Sequence, residues 1–483
     1  MELSAERTPV DPSQPIPVFA QLKAHLIRAI IEGEFGTDGQ LPTEFALCST
    51  YSISRTPVHR ALAELAEEGV VIRHRRRGTF VNPHWVVRHA SSRVLNVVVP
   101  EGPWGDLVLR DAPGDLSVSL ATVDLASLHE HLARAVASGL APDLALLDSV
   151  WVPEFASAGF LRPLDKLDQS WVDHEYTNEF APTFVESHTI DGHPMAVQIE
   201  ADVAGLWFDR AVLARHHIAP PKTWKNLDDA CSTLRQAGKI TPLGMPAGPA
   251  AGEAASYTLL ALLASNGATV LDDRGVTLHH TGVVQTLEFI CTLVERGALS
   301  VEAVVRGRGR PMRMLASGDN VFAFGGSYEL PALASARGIS QEEAWQRFGF
   351  VRSPVGPESN NSVLAGGMAL AIFRQSDRPE LAMRLLQALV APGAQIGMAR
   401  STGQIPSRTS VVPGLAASDS LLAQSASMLQ GAVVRPRVSS YDRVSQQLQG
   451  MLADVILGRQ APAAAAEHTA ALVSAITGLP LVD

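Results

Sequence analysis

Cysteine is scarce in this chain of 483 residues, and long apolar runs are missing. Its three cysteines, Cys48, Cys231 and Cys291, stand far apart and are odd in number. They supply neither a disulfide framework nor a CxxC metal clip, which favours a reducing compartment. No uninterrupted apolar stretch approaches the roughly 18 residues that a membrane span needs. The opening MELSAERTPVDPSQPIPV lacks a basic segment followed by an apolar one, so the chain reads as cytoplasmic, with no membrane partner. Catalytic signatures are also missing. No GxSxG or Walker sequence occurs, and Gly325-Gly326 reads as a glycine pair in a turn. His129-Glu130-His131 lacks the four-residue spacing that puts two imidazoles on one helix face for zinc, and reads as a solvated surface. His216-His217 and His279-His280 are adjacent residues pointing apart. The expectation is no cofactor, no metal and no enzyme.

What the chain has is apolar mass. Apolar residues make up 46 % and charged residues 18 %, enough for a large core. At roughly 150 residues per domain, the length suggests about three folding units. The net charge of -10 is uneven: residues 1–90 hold ten Lys/Arg and ten Asp/Glu, so the whole acidic surplus lies beyond them. Four of those ten cations fall within Arg73-His74-Arg75-Arg76-Arg77, a local cluster suited to phosphate.

The surroundings of that cluster are patterned. In residues 18–33, VFAQLKAHLIRAIIEG, the positions of Phe19, Leu22, Leu26 and Ile30 predict a helix stopped at Gly33. Thr43 caps a short helix ending near Tyr51. Ser54 caps a third, RTPVHRALAELAEEG, with Val58, Ala61, Leu62 and Leu65 on one face. Pro57 falls in its first turn, where the missing N–H costs little. VVIR and GTFV then read as strands with the arginines at their turn. Three helices and a basic hairpin make a winged helix-turn-helix, its third helix aimed at the major groove and its wing at phosphates or the minor groove.

This stretch, PVFAQLKAH through GTFV, is similar to the DNA-binding domain of the GntR family of bacterial regulators. The markers are the Ile-x-x-Gly helix end, Leu-Pro-Thr-Glu, Ser-Arg-Thr-Pro-Val, Ala-Leu-x-x-Leu and Gly-Thr-Phe-Val. The resemblance implies DNA contacts from Arg55 and Thr56 at the start of the recognition helix. His59, standing where the family usually has Arg, and the wing residues Arg75, Arg76 and Arg77 complete the candidates. Phe45 replaces a common Arg or polar residue, and Arg76 a common Gly, so base preference is expected to differ from the family norm.

The domains are read as 15–82 for the winged helix, 83–93 for a linker and 94–483 for an effector region. LNVVV (95–99), LSVSLATVD (116–124) and PDLALL (142–147) read as strands, with LASLHEHLARAVASG between them as a helix closed by Gly139. That alternation predicts an α/β architecture with a mostly parallel sheet. APAAAAEHTAA (461–471) reads as the start of a terminal helix.

Nearly all of 94–478 resembles the extracellular solute-binding proteins of sugar ABC transporters, the maltose-binding class. The segments that carry this are SGLAPDLALLDSVWVPEFASAGFLRPLD, IDGHPMAVQIEADVAGLWFDRAVLARHHIAPPKTW, SGDNVFAFGGSYELPAL, VLAGGMALAIFRQSDRPELAMRLLQAL and VILGRQAPAAAAEHTAALVSAI. About sixteen residues separate the first two strands, so the usual first helix, near Pro100–Asp106, is shortened or missing. Other GntR effector types fit poorly. The helical acid-binding and small α/β types are too short. An aminotransferase-like type needs a cofactor lysine in the C-terminal half. The five lysines, Lys23, Lys166, Lys222, Lys225 and Lys239, stop well before it.

The implied fold is therefore multi-domain, an N-terminal winged helix-turn-helix followed by a two-lobed α/β periplasmic-binding-protein-like domain. A sugar has apolar C–H faces and a hydroxyl rim, so its cleft wants aromatic plates beside carboxylates and amides. By matching position the resemblance implies Asp148, Ser149 and Trp151 after the third strand, and Glu200 and Asp202 at the first lobe crossing. It adds Tyr257 starting a helix in the second lobe, Tyr328 at a stacking position, Gly366-Gly367 in a loop that begins a strand, and Tyr441 near the C-terminal helices. Core packing is the alternative for each aromatic, and Trp224 and Trp345 read as structural. The implied function is a one-component regulator, a homodimer on operator DNA, that senses a mono- or oligosaccharide in the cytoplasm. The alternatives are a non-sugar ligand such as an amine or small anion, and a carbohydrate-active enzyme using the cleft carboxyls as a glycosidase pair.

Overall fold

The computed structural model describes residue 10 and residues 17–31, 33–36, 38–74, 77–83, 85, 94–238, 241–358, 362–417 and 419–482. The N-terminal unit contains α1 (Val18–Ile31), α2 (Glu44–Tyr51) and α3 (Arg55–Glu67). The hairpin of β1 (Val71–His74) and β2 (Gly78–Val81) follows, with His74 opposite Gly78. The predicted apolar stripes meet in one core: Leu22, Leu26 and Ile30 from α1, Leu47 from α2, and Val58, Ala61, Leu62 and Leu65 from α3. Thr43 caps α2 by accepting the Ala46 N–H at 3.2 Å. Ser54 does sit at the N-cap of α3, but its side chain makes no capping bond. Arg75 and Arg76 lie outside the described residues.

The effector region begins with β3 (Val94–Pro100), α4 (Trp104–Asp111), β4 (Ser117–Val123), α5 (Leu125–Ala137) and β5 (Leu144–Asp148). Strand β3 pairs in parallel with both β4 and β5. The first helix, α4, is shortened to eight residues rather than missing. Helix α5 buries Leu128, Leu132 and Val136 against the sheet.

The element that organises the rest is β6 (Val197–Asp209), thirteen residues buried along their whole length. After it come α6 (Glu253–Ser265), β7 (Phe322–Gly326), β8 (Phe348–Arg352), β9 (Leu364–Ile372), α7 (Tyr441–Ile456) and α8 (Pro462–Thr477). The first half of β6 pairs with β9 and the second half with β7 and β8, all antiparallel. Strand β9 is antiparallel to β5 as well. The sheet is thus mixed, not mostly parallel. A buried apolar run does not declare its direction, which is why patterning missed this.

Two large apolar cores flank the crossing strand. One gathers Leu95, Leu146, Leu370 and Leu386; the other gathers Leu206, Leu262, Phe324 and Leu448. They are the cores of two lobes. The alanine-rich segment opens α8, which packs on α7. Trp224 stacks on Phe289 at 4.5 Å and Trp345 meets Trp207 edge-on, both as structural residues.

Three local expectations are corrected. His129 is not solvated: it is half-buried, with Nε2 2.9 Å from Glu154 Oε2. His279 and His280 do not point apart, since their ring centroids are 5.0 Å from each other. Gly325-Gly326 lies inside β7, not in a turn.

Candidate functional site

The exposed end of α3 carries the first cluster. Arg55 opens the helix with its side chain 83 % exposed, and Thr56 beside it is exposed too. One turn on, His59 faces the same way. Arg55 and His59 both reach Glu44 at the start of α2. Glu44 accepts from Arg55 Nε at 3.1 Å and from Arg73 Nη2 at 2.9 Å, and pairs with His59 Nδ1 at 3.2 Å. Burial alone would raise the Glu44 pKa, but the bonds from His59 and Arg55 outweigh it and bring the pKa below the ordinary value. The carboxylate therefore stays charged and gathers cations from α3 and from the wing strand β1. Arg77 is exposed at the wing turn, where its carbonyl accepts from Gln40 Nε2 at 3.1 Å. Phe45 is 83 % exposed on the same surface.

The second cluster forms where β6 crosses between lobes. Alternate residues of a strand share a face, so Glu200 and Asp202 project together. Opposite them, Gly366 faces Asp202 and Gly367 faces Ala201 in the β9 register. Both glycines are within β9, so the expected loop is a strand. The reason for glycine is close approach: a Cβ on Gly367 would stand 2.2 Å from the Glu200 carbonyl oxygen, and φ there is +132°. A Cβ on Gly366 would intrude to 3.3 Å from the Tyr257 ring and 3.4 Å from Arg435.

Arg435 is the centre of this cluster. Its guanidinium donates to Asp148 Oδ1 at 2.5 Å, at the end of β5, and to Glu253 Oε1 at 3.0 Å, at the start of α6. It thereby joins the first lobe to the second. Ser149 Oγ is 3.5 Å away, and Tyr257 presents its ring with the guanidinium carbon 5.7 Å from the centroid. Tyr441 donates to Glu253 at 2.7 Å and Ser445 donates to it at 2.6 Å. Tyr257 donates to Asp202, while Glu200 accepts the Met368 N–H at 2.9 Å. Tyr328 and Glu329 occupy the turn after β7, close enough for Asp202 to act on both electrostatically. A small pocket lies beside Arg435 against Ser149, Ser187, Ala365 and Arg437.

The electrostatics follow from burial. Desolvation, then the Asp202 charge, pushes Glu200 well above the usual carboxylate range. Desolvation lifts Asp202 to about 6 and Glu329 to about 7. Burial works against the charge of Arg435, but Asp148 and Glu253 more than offset it. The crossing is a set of carboxyls, with Glu200, Asp202, Glu253 and Glu329 raised by burial, around one fixed cation, with phenols between them. Such a set can both donate to and accept from hydroxyl groups.

The fold brings Asp148, Ser149, Glu200, Asp202, Tyr257, Tyr328, Gly366, Gly367 and Tyr441 into one neighbourhood. Tyr257 is one turn inside α6, which starts at Glu253. Trp151 is the exception. It meets His129 edge-on at 5.2 Å and is wedged between the two lobe cores. Sequence reasoning missed Arg435, Glu253, Glu44 and Arg73. Two of them carried a signal: Arg73 as part of the basic run, and Glu44 as the last residue of the Leu-Pro-Thr-Glu marker.

Comparison with known proteins decides the affiliation. Residues 112–424 match the bacterial extracellular solute-binding protein family, and residues 19–81 match the gntR family of bacterial regulatory proteins. The chain belongs to the solute-binding family and carries a GntR domain. It is a GntR-type transcriptional regulator with a solute-binding effector domain.

Relatives fall into two sets. A Brucella abortus protein named as a binding protein is 20 % identical over 383 residues, 78 % of this chain and 90 % of its own. The repressor NagR of Bacillus subtilis is 37 % identical over 73 residues, 15 % of this chain and 30 % of its own. Among solved structures, a solute-binding protein of Thermotoga lettingae bound with alpha-D-tagatose aligns with TM-score 0.71 and 23 % identity. It covers 80 % of this chain and 100 % of its own. The GacH receptor of Streptomyces glaucescens, solved unliganded and with acarbose, aligns with TM-score 0.71 and 19 % identity over 79 % of this chain and 98 % of its own. These likenesses establish the two-lobed fold. Among the described residues of the regulator, no helix is long and apolar enough to cross a membrane, and no group of three or more His, Cys, Asp or Glu is placed to hold a metal.

Proposed function

We propose that this protein is a one-component sensor: as a cytoplasmic homodimer it reads operator DNA through Arg55, Thr56, His59 and the wing arginines, and it binds a mono- or oligosaccharide at the lobe crossing without turning it over. Domain limits of 15–82, 83–93 and 94–483 belong to the same reading. The ligand residues are Asp148, Ser149, Glu200, Asp202, Tyr257, Tyr328, Gly366, Gly367 and Tyr441, with Arg435 added; Trp151 supports the wall behind them.

The observation that carries the reading is spare bonding capacity at the crossing. The Nε of Arg435 is buried and has no hydrogen-bond partner in the structure. Beside it stand phenols and carboxyls, groups that suit a hydroxyl-rich ligand. The structural neighbours point the same way, with tagatose bound in one and acarbose in another. A second reading, a ligand bearing an amine, is favoured by the surplus of carboxyls over the single guanidinium they surround.

A thermal-shift screen of neutral sugars, amino sugars and simple amines on the full-length protein tests both. A ligand confined to the native state raises its apparent stability, by about 2.7 kcal/mol at a hundred times Kd. A shift with neutral sugars supports the first reading, and a shift with amines alone supports the second. No shift with any of them removes the sensor reading.

A further inference from the structure

The DNA-reading unit and the first lobe meet at a buried cation. Lys23 projects from α1 with its side chain 0 % exposed. An ammonium has three protons to donate. Three oxygens surround it: Glu68 Oε1 at 2.5 Å, Glu64 Oε2 at 3.4 Å and the Ser138 carbonyl at 3.3 Å. The glutamates stand in the last turn and C-terminal cap of α3, the recognition helix. Ser138 is the C-terminal cap of α5, in the effector lobe. A cation there also meets the negative end of the α5 dipole. The backbones are in contact around it: a Cβ on Gly139 would lie 3.2 Å from the Ala20 carbonyl, and Ala20 is part of the first lobe's core.

Helix α5 leads from this joint back towards the cleft. Roughly two and a half turns before Ser138, His129 bonds Glu154 at 2.9 Å and meets the Trp151 ring edge-on. Trp151 ends the turn that Asp148 caps, and Asp148 holds Arg435. Leu128, Leu132 and Val136 fasten α5 to the lobe between these points.

We propose that Lys23 is the positioning residue through which the cleft and the recognition helix exchange free energy, with α5 as the rod between them. What drives the exchange rests on the sensor reading above; the connection itself does not. When the Asp148–Trp151 turn moves, α5 moves with it and carries the Ser138 carbonyl. Lys23 then either draws α3 along by its two glutamates or gives up a bond in a buried place, which is costly for a charge. Packed joints of this kind switch between discrete arrangements and do not stretch.

Hydrogen exchange on the full-length protein tests the joint with no sugar present. The probe is a DNA duplex selected from a random-sequence pool by the wild-type protein. Adding it is expected to slow amide exchange both in α3 and at residues 136–141. In Lys23→Met the slowing in α3 remains and that at 136–141 is lost. Gly139→Ala, which alters the joint from the lobe side and changes no residue of α1–α3, gives the same loss even if Lys23→Met proves unstable. No response at 136–141 in the wild type, or an undiminished one in the variants, overturns the proposal. Titration with a sugar found by the screen separates this from the sensor reading. Lys23→Met should keep its affinity for sugar alone and for duplex alone, while the factor by which each alters the other falls from about 5–150 to about 1. A variant that keeps the full factor overturns the joint and leaves the sensor standing. A wild type that responds at 136–141 yet binds no sugar overturns the sugar reading and leaves the joint.

Discussion

On the recognition helix, Arg55 and His59 stand 83 % and 62 % exposed over one carboxylate, Glu44; at the lobe crossing, Arg435 is 5 % exposed between two, Asp148 and Glu253. The first arrangement leaves its cations in water, weakly held and ready to exchange Glu44 for a phosphate or base edge. Its affinity is expected to depend steeply on salt. The second has already removed its charges from solvent and paired them. A ligand there gains the difference between the bonds it makes and those it displaces, not their sum. On the proposed reading, the same residue type serves an exposed electrostatic contact with DNA in one region and a buried lobe contact in the other.

Removing Arg435 breaks the contrast most severely. Arg435→Met should cost about 2–4 kcal/mol of effector-domain stability. This is less than for a sealed pair, because Asp148 and Glu253 keep 20 % and 34 % exposure. Denaturant titration reads it, and a loss below about 0.5 kcal/mol, the level of an ordinary surface change, would make Arg435 a surface-like residue. Arg55→Ala should do the reverse. It weakens binding to the selected duplex by about 1–3 kcal/mol and leaves stability within about 0.5 kcal/mol. Replacing Arg75, Arg76 and Arg77 together should lower affinity on every sequence. It should also reduce the salt slope by about 0.9 for each phosphate no longer neutralised, and an unchanged slope would remove the wing from the interface.

Asp202→Asn sharpens the buried side of the comparison. With its pKa lifted to about 6 by burial, Asp202 binds a proton in the folded state at pH values where the unfolded chain has lost it. Its contribution to stability is full below about pH 4 and is lost as pH rises through about 6. The variant should therefore be more stable than the parent at pH 8, by about 1–3 kcal/mol, with a flatter dependence between pH 4 and 7. Equal pH profiles would show that Asp202 is better solvated than its burial implies. The smallest effect is expected from Tyr328→Ala, about 1 kcal/mol weaker sugar binding by calorimetry from the lost stacking face. Unchanged affinity returns Tyr328 to core packing.

Much of this was legible in the sequence where signals are local. The stripes of α1 and α3, the Thr43 cap, the wing strands and the first three strands of the effector follow from spacing alone. Family likeness supplied the positions of Asp148, Asp202, Tyr257 and Tyr441. Arg435 was not legible, because its partners lie 287 and 182 residues away and no motif surrounds it. Family likeness puts Gly366-Gly367 in a loop that begins a strand, and the glycine pair is compatible with one. Only the approach of β6 and Tyr257 to β9 shows that the pair serves a strand. His129 read as solvated because the helix pattern places it at the edge of the apolar face, and Glu154 with Trp151 covers that edge from another element.

The central claim is that cleft and DNA surface belong to one linked device. Its most direct test is a reciprocal titration at fixed salt: the affinity of the screened sugar with and without saturating duplex, and the affinity of the duplex with and without saturating sugar. Linkage requires the two ratios to be equal, and the account predicts a common factor of about 5–150. Sugar affinity that is unchanged at saturating duplex would contradict it and detach the cleft from the regulation of DNA binding.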